Sequence, residues 1–163
     1  MTLRLAALTG AALAIASAPA SAPEHEAATD GAQLAGALPT PAQLAGQRIV
    51  YGFDGTRPPR DLLRRIRRGE AAGVILFARN IRSHTQVRAM NAAFQRWRPP
   101  GAPPLLVMAD QEGGIVKRLA GAPRRSAAEL GRIGSESLAL AEGRNTARNL
   151  RDVGINVDLA PVV

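Results

Sequence analysis

The chain has 163 residues, a length that suits one domain, and 46% of them are hydrophobic, which is enough to build a core. It contains no cysteine, so the sequence excludes disulfides, thiolate metal sites and lipid-modified cysteines. The formal net charge of +8 is typical of proteins with polyanionic partners, but only 3% of the residues are aromatic, which leaves few rings to stack on bases.

The first 39 residues are predicted to be a targeting segment and a flexible lead-in. Arg4 supplies a positive charge, residues 5–15 form a short apolar stretch, and cleavage is expected after Ala20. Residues 1–20 are therefore predicted to be a signal peptide that directs export; a buried helix is the alternative. The apolar stretch is too short for a stable membrane span. Residues 21–39 are rich in alanine, proline, glycine and glutamate, which is typical of a flexible lead-in.

From residue 40 onward, predicted strands and helices alternate. Thr40-Pro41 and Gly46 are the start and stop signals of a short helix, and Ser126 with Glu129 forms a capping box before a short turn of helix. Unbroken apolar runs and helical spacing predict the rest. The strands cover residues 48–53, 73–77, 105–110 and 155–159, and the helices cover residues 61–69, 84–98 and 135–153. The last two helices have apolar or small-residue faces made by Val87, Met90, Phe94 and Trp97, and by Ala139, Gly143, Ala147 and Leu150.

This alternation predicts an α/β fold with a parallel sheet. Helices that join consecutive strands by right-handed crossovers give parallel strands, and fully apolar strands fit a sheet covered on both faces. After the fourth strand, a doubly wound sheet normally has a covering helix and a barrel has four more strand-helix units. The sequence has neither, so the fold is expected to be incomplete.

Residues 105–118 are the candidate functional segment. An apolar strand there ends in Asp110, which is followed by Glu112, the glycines at 113–114 and Arg118. α/β barrels carry their reactive groups at the carboxyl ends of the strands, and glycine permits backbone angles that a Cβ atom would forbid. The segment is therefore predicted to hold a polyhydroxylated substrate.

Other chemistries have weaker support. The arginines at 57, 60, 64, 65, 67 and 68 are expected to form the solvated face of a helix; weak attraction to an acidic cell-wall polymer is the alternative. His25 and His84 are expected to be solvated, and no His or Cys pair has metal-ligand spacing. With no phosphate-binding glycine motif either, we expect no cofactor and no nucleic-acid partner.

Four blocks of the sequence resemble one enzyme family. They are Gly46-Gln47, residues 73–81, the Asp-Gln-Glu-Gly-Gly segment 110–114 with Arg118, and residues 154–162. In order and spacing they resemble the first half of the catalytic TIM (β/α)₈ barrel of glycoside hydrolase family 3. The resemblance covers residues 40–163 and implies a barrel with only about its first four strands present. The Asp-Gln-Glu-Gly-Gly block is similar to the β-N-acetylhexosaminidase branch, whereas the β-glucosidase branch typically carries a His-Gly pair near this point.

The resemblance implies a substrate-binding pair. Asp110 matches the family's aspartate that binds sugar hydroxyls, and Arg118 matches an arginine that assists it. A carboxylate can accept hydrogen bonds from two neighbouring hydroxyls, and an arginine beside it keeps it ionised. The alternative is an ion pair with a structural role only.

Three further polar residues are candidates for lining the pocket. Glu112 is expected to organise the loop, because it lies only two residues from Asp110 and nothing places the two on opposite sides of a sugar ring. Asp158 lies in the fourth strand and Asn80 follows the second; an interior pairing and a solvated loop are their alternatives.

The resemblance also implies where the catalytic groups lie. In this branch of the family the nucleophile is a later aspartate, and the acid/base is a histidine with an aspartate partner on a loop after a later strand. No position of these 163 residues matches either group. Both are therefore expected beyond Val163, and no residue of the chain is predicted to be catalytic.

The implied activity is hydrolysis of terminal β-linked N-acetylglucosamine from amino-sugar glycans, such as peptidoglycan or chitin fragments. By resemblance it retains the anomeric configuration through a glycosyl-enzyme intermediate and needs no cofactor. A family member that prefers glucose and a non-catalytic carbohydrate-binding protein are the alternatives. The chain by itself is expected to be inactive and poorly soluble, because a half-barrel has two unpaired strand edges.

Overall fold

The structure, a computed structural model, describes residues 38–161. The helices are α1 (Pro41–Gly46), α2 (Arg60–Arg67), α3 (His84–Arg96), α4 (Ala127–Ile133) and α5 (Glu136–Asp152), with a 3₁₀ turn at Ala78–Asn80. The strands are β1 (Val50–Tyr51), β2 (Gly73–Leu76), β3 (Leu106–Ala109), β4 (Gln111–Gly113), β5 (Val116–Lys117) and β6 (Val157–Asp158).

Some predictions fall on other parts of the chain. The predicted signal peptide, His25 and nearly all of the lead-in lie outside the described residues. Val163, beyond which the nucleophile and the acid/base are expected, also lies outside them. The location of the catalytic groups beyond Val163 therefore stays a prediction.

Four of the strands form one parallel sheet in the order β1-β2-β3-β6. The central strands β2 and β3 pair along their whole length, from Gly73 opposite Leu106 to Leu76 opposite Ala109. The edge strands β1 and β6 share two residue pairs each with their neighbours. The predicted α/β fold with a parallel sheet is confirmed. Within residues 38–161 each edge strand pairs with one neighbour, and both are shorter than predicted.

Helix α1 begins and ends at the residues that its signals predict. Thr40 Oγ1 accepts a hydrogen bond from Gln43 N, and Gln43 Oε1 accepts one from Thr40 N, which completes a capping box with Pro41 in the first turn. At the other end, Gly46 lies against the backbone of Glu70, where a Cβ atom would be 2.4 Å from Glu70 Cα. Only glycine allows the helix to approach so closely.

The hydrophobic core lies between one face of the sheet and helices α2, α3 and α5. Val74, Leu76, Val107 and Ala109 project from the central strands and are fully buried. They pack in one cluster with helix side chains, among them Leu62, Ile66, Val87, Met90, Phe94 and Leu150. The rings of Phe53 and Phe94 meet edge to face with centroids 5.5 Å apart. This cluster fixes the three long helices on the sheet.

The two faces of the sheet differ in burial, and the strand order is that of a barrel wall. Ile75 and Met108 point to the opposite face from the core and are only half-buried. Within residues 38–161 this second face is less buried than the core face, and the predicted covering of both faces stays a prediction. Successive right-handed crossovers that always add the next strand on the same side place all the helices on one face. A doubly wound sheet reverses direction and covers both faces, so the topology is that of a (β/α)₈ barrel wall.

Two predicted helix faces differ from the structure at particular residues. Trp97 follows the end of α3 as its C-cap residue and is 41% exposed, so it does not continue the buried face. On α5, Ala139 and Gly143 are exposed, and the buried face is instead formed by Glu142, Thr146 and Leu150. The first half of α5 packs on the loop before α4, where Glu142 pairs with Arg125. Because of this contact, Glu142 rather than Ala139 or Gly143 lies on the buried side of the helix.

Within residues 38–161, no helix has the length and apolarity needed to cross a membrane.

Candidate functional site

The candidate site lies where β3 and β6 end. Ala109, the last residue of β3, is paired with Asp158 of β6, and Asp110 is the next residue along the chain. The carboxyl ends of parallel strands share one edge of the sheet, and this edge is where α/β folds bind ligands. The strand register therefore brings Asp110 and Asp158 to the same edge.

A short hairpin that the sequence did not predict follows Asp110. Strands β4 and β5 pair antiparallel with a bulge between Gln111 and Gly113. The turn has φ of +81° at Gly113 and +60° at Gly114, and a Cβ atom on Gly113 would lie 2.3 Å from Arg125 O. Both glycines have the left-handed backbone that favours glycine, as expected, and the first also has no room for a side chain. The hairpin returns the chain so that Arg118 faces Asp110.

Asp110 and Arg118 form an ion pair at the sheet edge. Arg118 Nη2 donates to Asp110 Oδ2 at 2.9 Å, and the two side chains are 24% and 22% exposed. The pair is thus half-buried but open to a ligand from solvent. A planar guanidinium beside a carboxylate offers donors and acceptors together, which is the combination that vicinal hydroxyl groups require.

Gln111 is buried behind this pair and holds the loop that carries Arg118. Its Oε1 accepts hydrogen bonds from Arg118 N and Leu119 N, both at 2.9 Å. Its Nε2 donates to Leu119 O at 3.0 Å and to Ala122 O at 2.8 Å. The side chain is 1% exposed, so these backbone contacts replace water completely. Gln111 therefore acts as the internal support of the loop.

Asp158 supports the same segment from β6. Its Oδ1 accepts a hydrogen bond from Gln111 N at 3.0 Å. Burial raises the pKa of the Asp158 carboxyl, the hydrogen bond from Gln111 opposes that rise, and the nearby charges of Asp110 and Glu112 add to it. The structure thus brings three of the sequence-predicted carboxylates into one electrostatic group, with Arg118 as the cation paired to Asp110.

A groove of about 620 Å³ opens beside this group. Glu112 and Asp158 lie on its wall, together with residues of the segment before α4 and of α5. These include small residues that the sequence assigned to a packing face: the exposed Ala139 and Gly143, and the half-buried Ala147. The groove therefore extends from the carboxylates across a largely apolar surface.

Asn80 has a different environment. It is fully buried, and its Nδ2 donates to Phe53 O and to Gly55 O, both at 2.9 Å. Its Oδ1 accepts a hydrogen bond from Phe77 N at 2.8 Å. All three partners are backbone groups, so Asn80 ties the loop after β1 to the end of β2 and presents no atom to solvent.

The basic and histidine candidates lie outside the carboxylate group. Arg64, Arg65, Arg67 and Arg68 of the α2 region are exposed, as expected for a solvated helix face. Arg68 makes two 2.8 Å hydrogen bonds to Glu70, which hold the pKa of the Glu70 carboxyl below its ordinary value. His84 is not simply solvated as predicted: it is half-buried, with Nε2 3.1 Å from Asn149 Oδ1, because α5 packs beside the start of α3.

Sequence reasoning missed two residues that support the loop between β5 and α4. Glu142 is buried on α5 and accepts hydrogen bonds from Arg124 N and Arg125 Nη1, both at 3.0 Å. Asn149, also on α5, donates from Nδ2 to Ala120 O and Ala122 O, both at 2.9 Å. The four-residue spacing of Glu142, Thr146 and Leu150 was the available signal that Glu142 lies on a buried face.

Known proteins match most of the described chain. The profile of the "Glycosyl hydrolase family 3 N terminal domain" matches residues 41–163. An "uncharacterized secreted glycosyl hydrolase" of Arthroderma benhamiae is 32% identical over 125 residues, which are 75% of this chain and 35% of that protein. A beta-hexosaminidase of Methylobacillus flagellatus is 37% identical over 123 residues, which are 71% of this chain and 34% of that protein. The chain thus spans about a third of the length of these curated relatives.

Solved structures match in the same way. The glycoside hydrolase family 3 beta-N-acetylglucosaminidase of Paenibacillus sp. str. FPU-7 superposes with a TM-score of 0.69 at 34% identity, over 75% of this chain and 24% of that one. NagZ of Neisseria gonorrhoeae, solved with N-trifluoroacetyl-D-glucosamine, gives a TM-score of 0.58 at 28% identity, over 69% of this chain and 35% of that one.

Proposed function

The chain belongs to glycoside hydrolase family 3, and from this premise we propose that the protein hydrolyses terminal β-linked N-acetylglucosamine from amino-sugar glycans such as peptidoglycan or chitin fragments. The Asp110–Arg118 pair is the observation that carries the proposal. In it, Asp110 accepts hydrogen bonds from two neighbouring sugar hydroxyls, and Arg118 keeps the carboxylate ionised and donates to the ring substituents. The names of the related beta-hexosaminidases and beta-N-acetylglucosaminidase support N-acetylglucosamine as the sugar.

Residues 40–163 supply the sugar-positioning half of a (β/α)₈ barrel in this proposal. Asp110 and Glu112 are not the two catalytic carboxyl groups. Asp110 is paired with Arg118, and the two acidic residues lie two positions apart on the same arm of one hairpin. The retaining reaction needs a nucleophile and a proton donor on opposite sides of the glycosidic bond. We assign both to a part of the barrel beyond Val163. The length of the relatives, about three times the matched segment, supports this assignment.

Export belongs to the same proposal. Residues 1–20 act as the signal peptide, residues 21–39 as a flexible lead-in, and the enzyme acts outside the cytoplasm, where cell-wall glycans are found. The related secreted glycosyl hydrolase supports this location. An unprocessed amino terminus on protein recovered from the culture medium or periplasm would contradict it.

Kinetics with paired substrates test the activity. The protein, in the full length that its gene encodes, is assayed with 4-nitrophenyl N-acetyl-β-D-glucosaminide and with 4-nitrophenyl β-D-glucoside. We expect a higher kcat/KM for the N-acetylglucosaminide, with retention of configuration shown by NMR. Preference for the glucoside would assign the protein to the glucosidase branch, and sugar binding without turnover would make it a binding protein; either result overturns the proposal.

Two variants link that activity to the site. Asp110→Ala removes charged hydrogen bonds worth about 1.5–3 kcal/mol each, so kcat/KM is expected to fall about 10²-fold or more. Glu70→Ala is the matched control, because Glu70 is 19% exposed against 22% for Asp110 and also pairs with an arginine. It precedes β2, at the opposite edge of the sheet, and is expected to change kcat/KM less than about threefold. Equal losses in the two variants would mean that Asp110 has a structural role only.

A further inference from the structure

We propose that Gln111 is the positioning residue of the Asp110–Arg118 pair and that Asp158 holds Gln111 in place. This inference rests on the proposed function, because it assigns the residues that set the geometry of the sugar-binding pair. Neither residue needs to touch the sugar: Gln111 acts through Arg118, and Asp158 acts through Gln111.

The side chain of Gln111 fixes the backbone position of Arg118. An amide has two N–H donors and one oxygen with two lone pairs, and the four hydrogen bonds to Arg118, Leu119 and Ala122 use all of them. One of these bonds fixes Arg118 N, so the guanidinium extends from a backbone position that Gln111 determines. A carboxylate of the same size would keep the two accepting positions but would face the carbonyl oxygens of Leu119 and Ala122 without a donor.

The backbone of Gln111 controls where Asp110 sits. Gln111 N donates to Asp158 Oδ1, and the peptide that contains this N–H also contains the carbonyl of Asp110. Asp158 lies on β6, whose register with β3 is fixed by the pairing of Ala109 with Asp158. Both members of the sugar-binding pair are therefore held by Gln111. The backbone of Gln111 holds Asp110, and the side chain of Gln111 holds Arg118.

Gln111→Glu is the direct test, with kinetics on the full-length enzyme. The variant loses both donors, the loop moves, and Arg118 no longer meets Asp110 in the productive geometry. A displacement of about 1 Å in a positioning group can cost about 10²-fold in rate, so we expect kcat/KM to fall about 10-fold to 10²-fold, mainly through KM. Asn149→Asp is the matched control: it makes the same amide-to-carboxylate change facing Ala122 O but has no contact with Arg118 N, and we expect a change below about threefold.

A double-mutant cycle separates positioning from general loop stability. If Gln111 acts through Arg118, then Gln111→Glu costs less than about threefold in kcat/KM when Arg118 is already alanine. The same fall in both backgrounds, or an equal fall in Asn149→Asp, would overturn the proposal. Should Gln111→Glu fail to fold, the backbone half of the proposal is tested by Asp158→Ala, which removes the acceptor for Gln111 N, in a cycle with Asp110→Ala: it should cost less than about threefold in kcat/KM when Asp110 is already alanine, and the same fall in both backgrounds would overturn the proposal. Asp158→Asn retains that acceptor and is expected to lose clearly less activity than Asp158→Ala; equal losses would overturn the role of Asp158.

A crystal structure of the Gln111→Glu protein gives a readout that does not depend on activity. We expect Arg118 Nη2 to lie beyond hydrogen-bond distance of Asp110 Oδ2. An unchanged separation of 2.9 Å would overturn the positioning role even in an active enzyme. If the wild-type protein hydrolyses neither test substrate, the proposed function is wrong. The crystal structure of the Gln111→Glu protein would still decide whether Gln111 positions the pair.

Discussion

Replacing Asn80 by alanine is expected to destabilise the protein by about 2–4 kcal/mol. The side chain makes three hydrogen bonds to backbone groups and is fully buried. Each such bond contributes about 0.5–1.5 kcal/mol net, and a buried partner left without one costs about 1–3 kcal/mol. The carbonyl of Phe53 is in that position, whereas Gly55 is exposed and water can replace its lost bond. Most of the lost stability therefore comes from Phe53 O and Phe77 N.

Asn91→Ala is the matched comparison. Asn91 is equally buried, but it makes one hydrogen bond, from Nδ2 to Val153 O at 2.8 Å, and its Oδ1 has no hydrogen-bond partner within residues 38–161. Truncation leaves the buried Val153 O without this donor but also removes the unsatisfied acceptor of Asn91, so these two effects offset and the expected cost is that of the lost bond, about 1 kcal/mol or less. Urea denaturation of the full-length proteins, read from midpoints at equal slope, measures both changes. Equal destabilisation in the two variants would refute this reasoning.

Four other substitutions test separate parts of the structure. Gly113→Ala combines a φ of +81° with a Cβ atom 2.3 Å from Arg125 O, so thermal unfolding should show a loss of stability of about 3 kcal/mol or more. Gly131→Ala is the control: its Cβ atom meets nothing within 4 Å, and it should stabilise α4 by up to about 1 kcal/mol. Similar effects at the two glycines would contradict this expectation. Ser126→Ala removes the capping box of α4 and should cost about 1 kcal/mol in the same measurement, and an unchanged midpoint would show that the box does not hold the helix. The pKa of Asp158 is raised in the folded state, so folding takes up a proton there and the stability that Asp158 contributes is lost as pH rises from about 4 through the raised pKa. Asp158→Asn does not titrate, so its stability relative to the wild type should increase over that rise in pH; a difference that stays constant with pH would refute the assigned shift.

The regular elements could be predicted because local signals define them. The apolar run that predicts a strand over residues 73–77 matches Gly73–Leu76 to within one residue, and the helical spacing over residues 84–98 matches His84–Arg96 to within two at its end. The capping signals at Ser126 and Glu129 also mark the start of α4 correctly. In each case the pattern lies within one element and does not depend on the rest of the fold.

The support of the site could not be predicted, because it depends on contacts between distant parts of the chain. The sequence marks Asp110 and Arg118 as candidates, but the side-chain amide of Gln111 donates to a backbone oxygen eleven residues away, and Asp158 accepts from the backbone N–H of Gln111 from another strand. The β4–β5 hairpin has strands of three and two residues, too short to show an alternating pattern. Asn80 is a candidate for the pocket wall because it follows a strand, and only its burial shows that its partners are backbone groups.

A crystal structure of the full-length protein with N-acetylglucosamine bound would show whether the sugar contacts the Asp110–Arg118 pair. The proposed sugar-binding role predicts the sugar at the carboxyl end of β3, with Asp110 accepting hydrogen bonds from two adjacent ring hydroxyls and Arg118 donating to the ring substituents. It also predicts that the Asp110–Arg118 hydrogen bond of 2.9 Å persists in the complex. A sugar bound elsewhere, or at this edge without contact to Asp110, would show that the ion pair has a structural role only and would contradict the account.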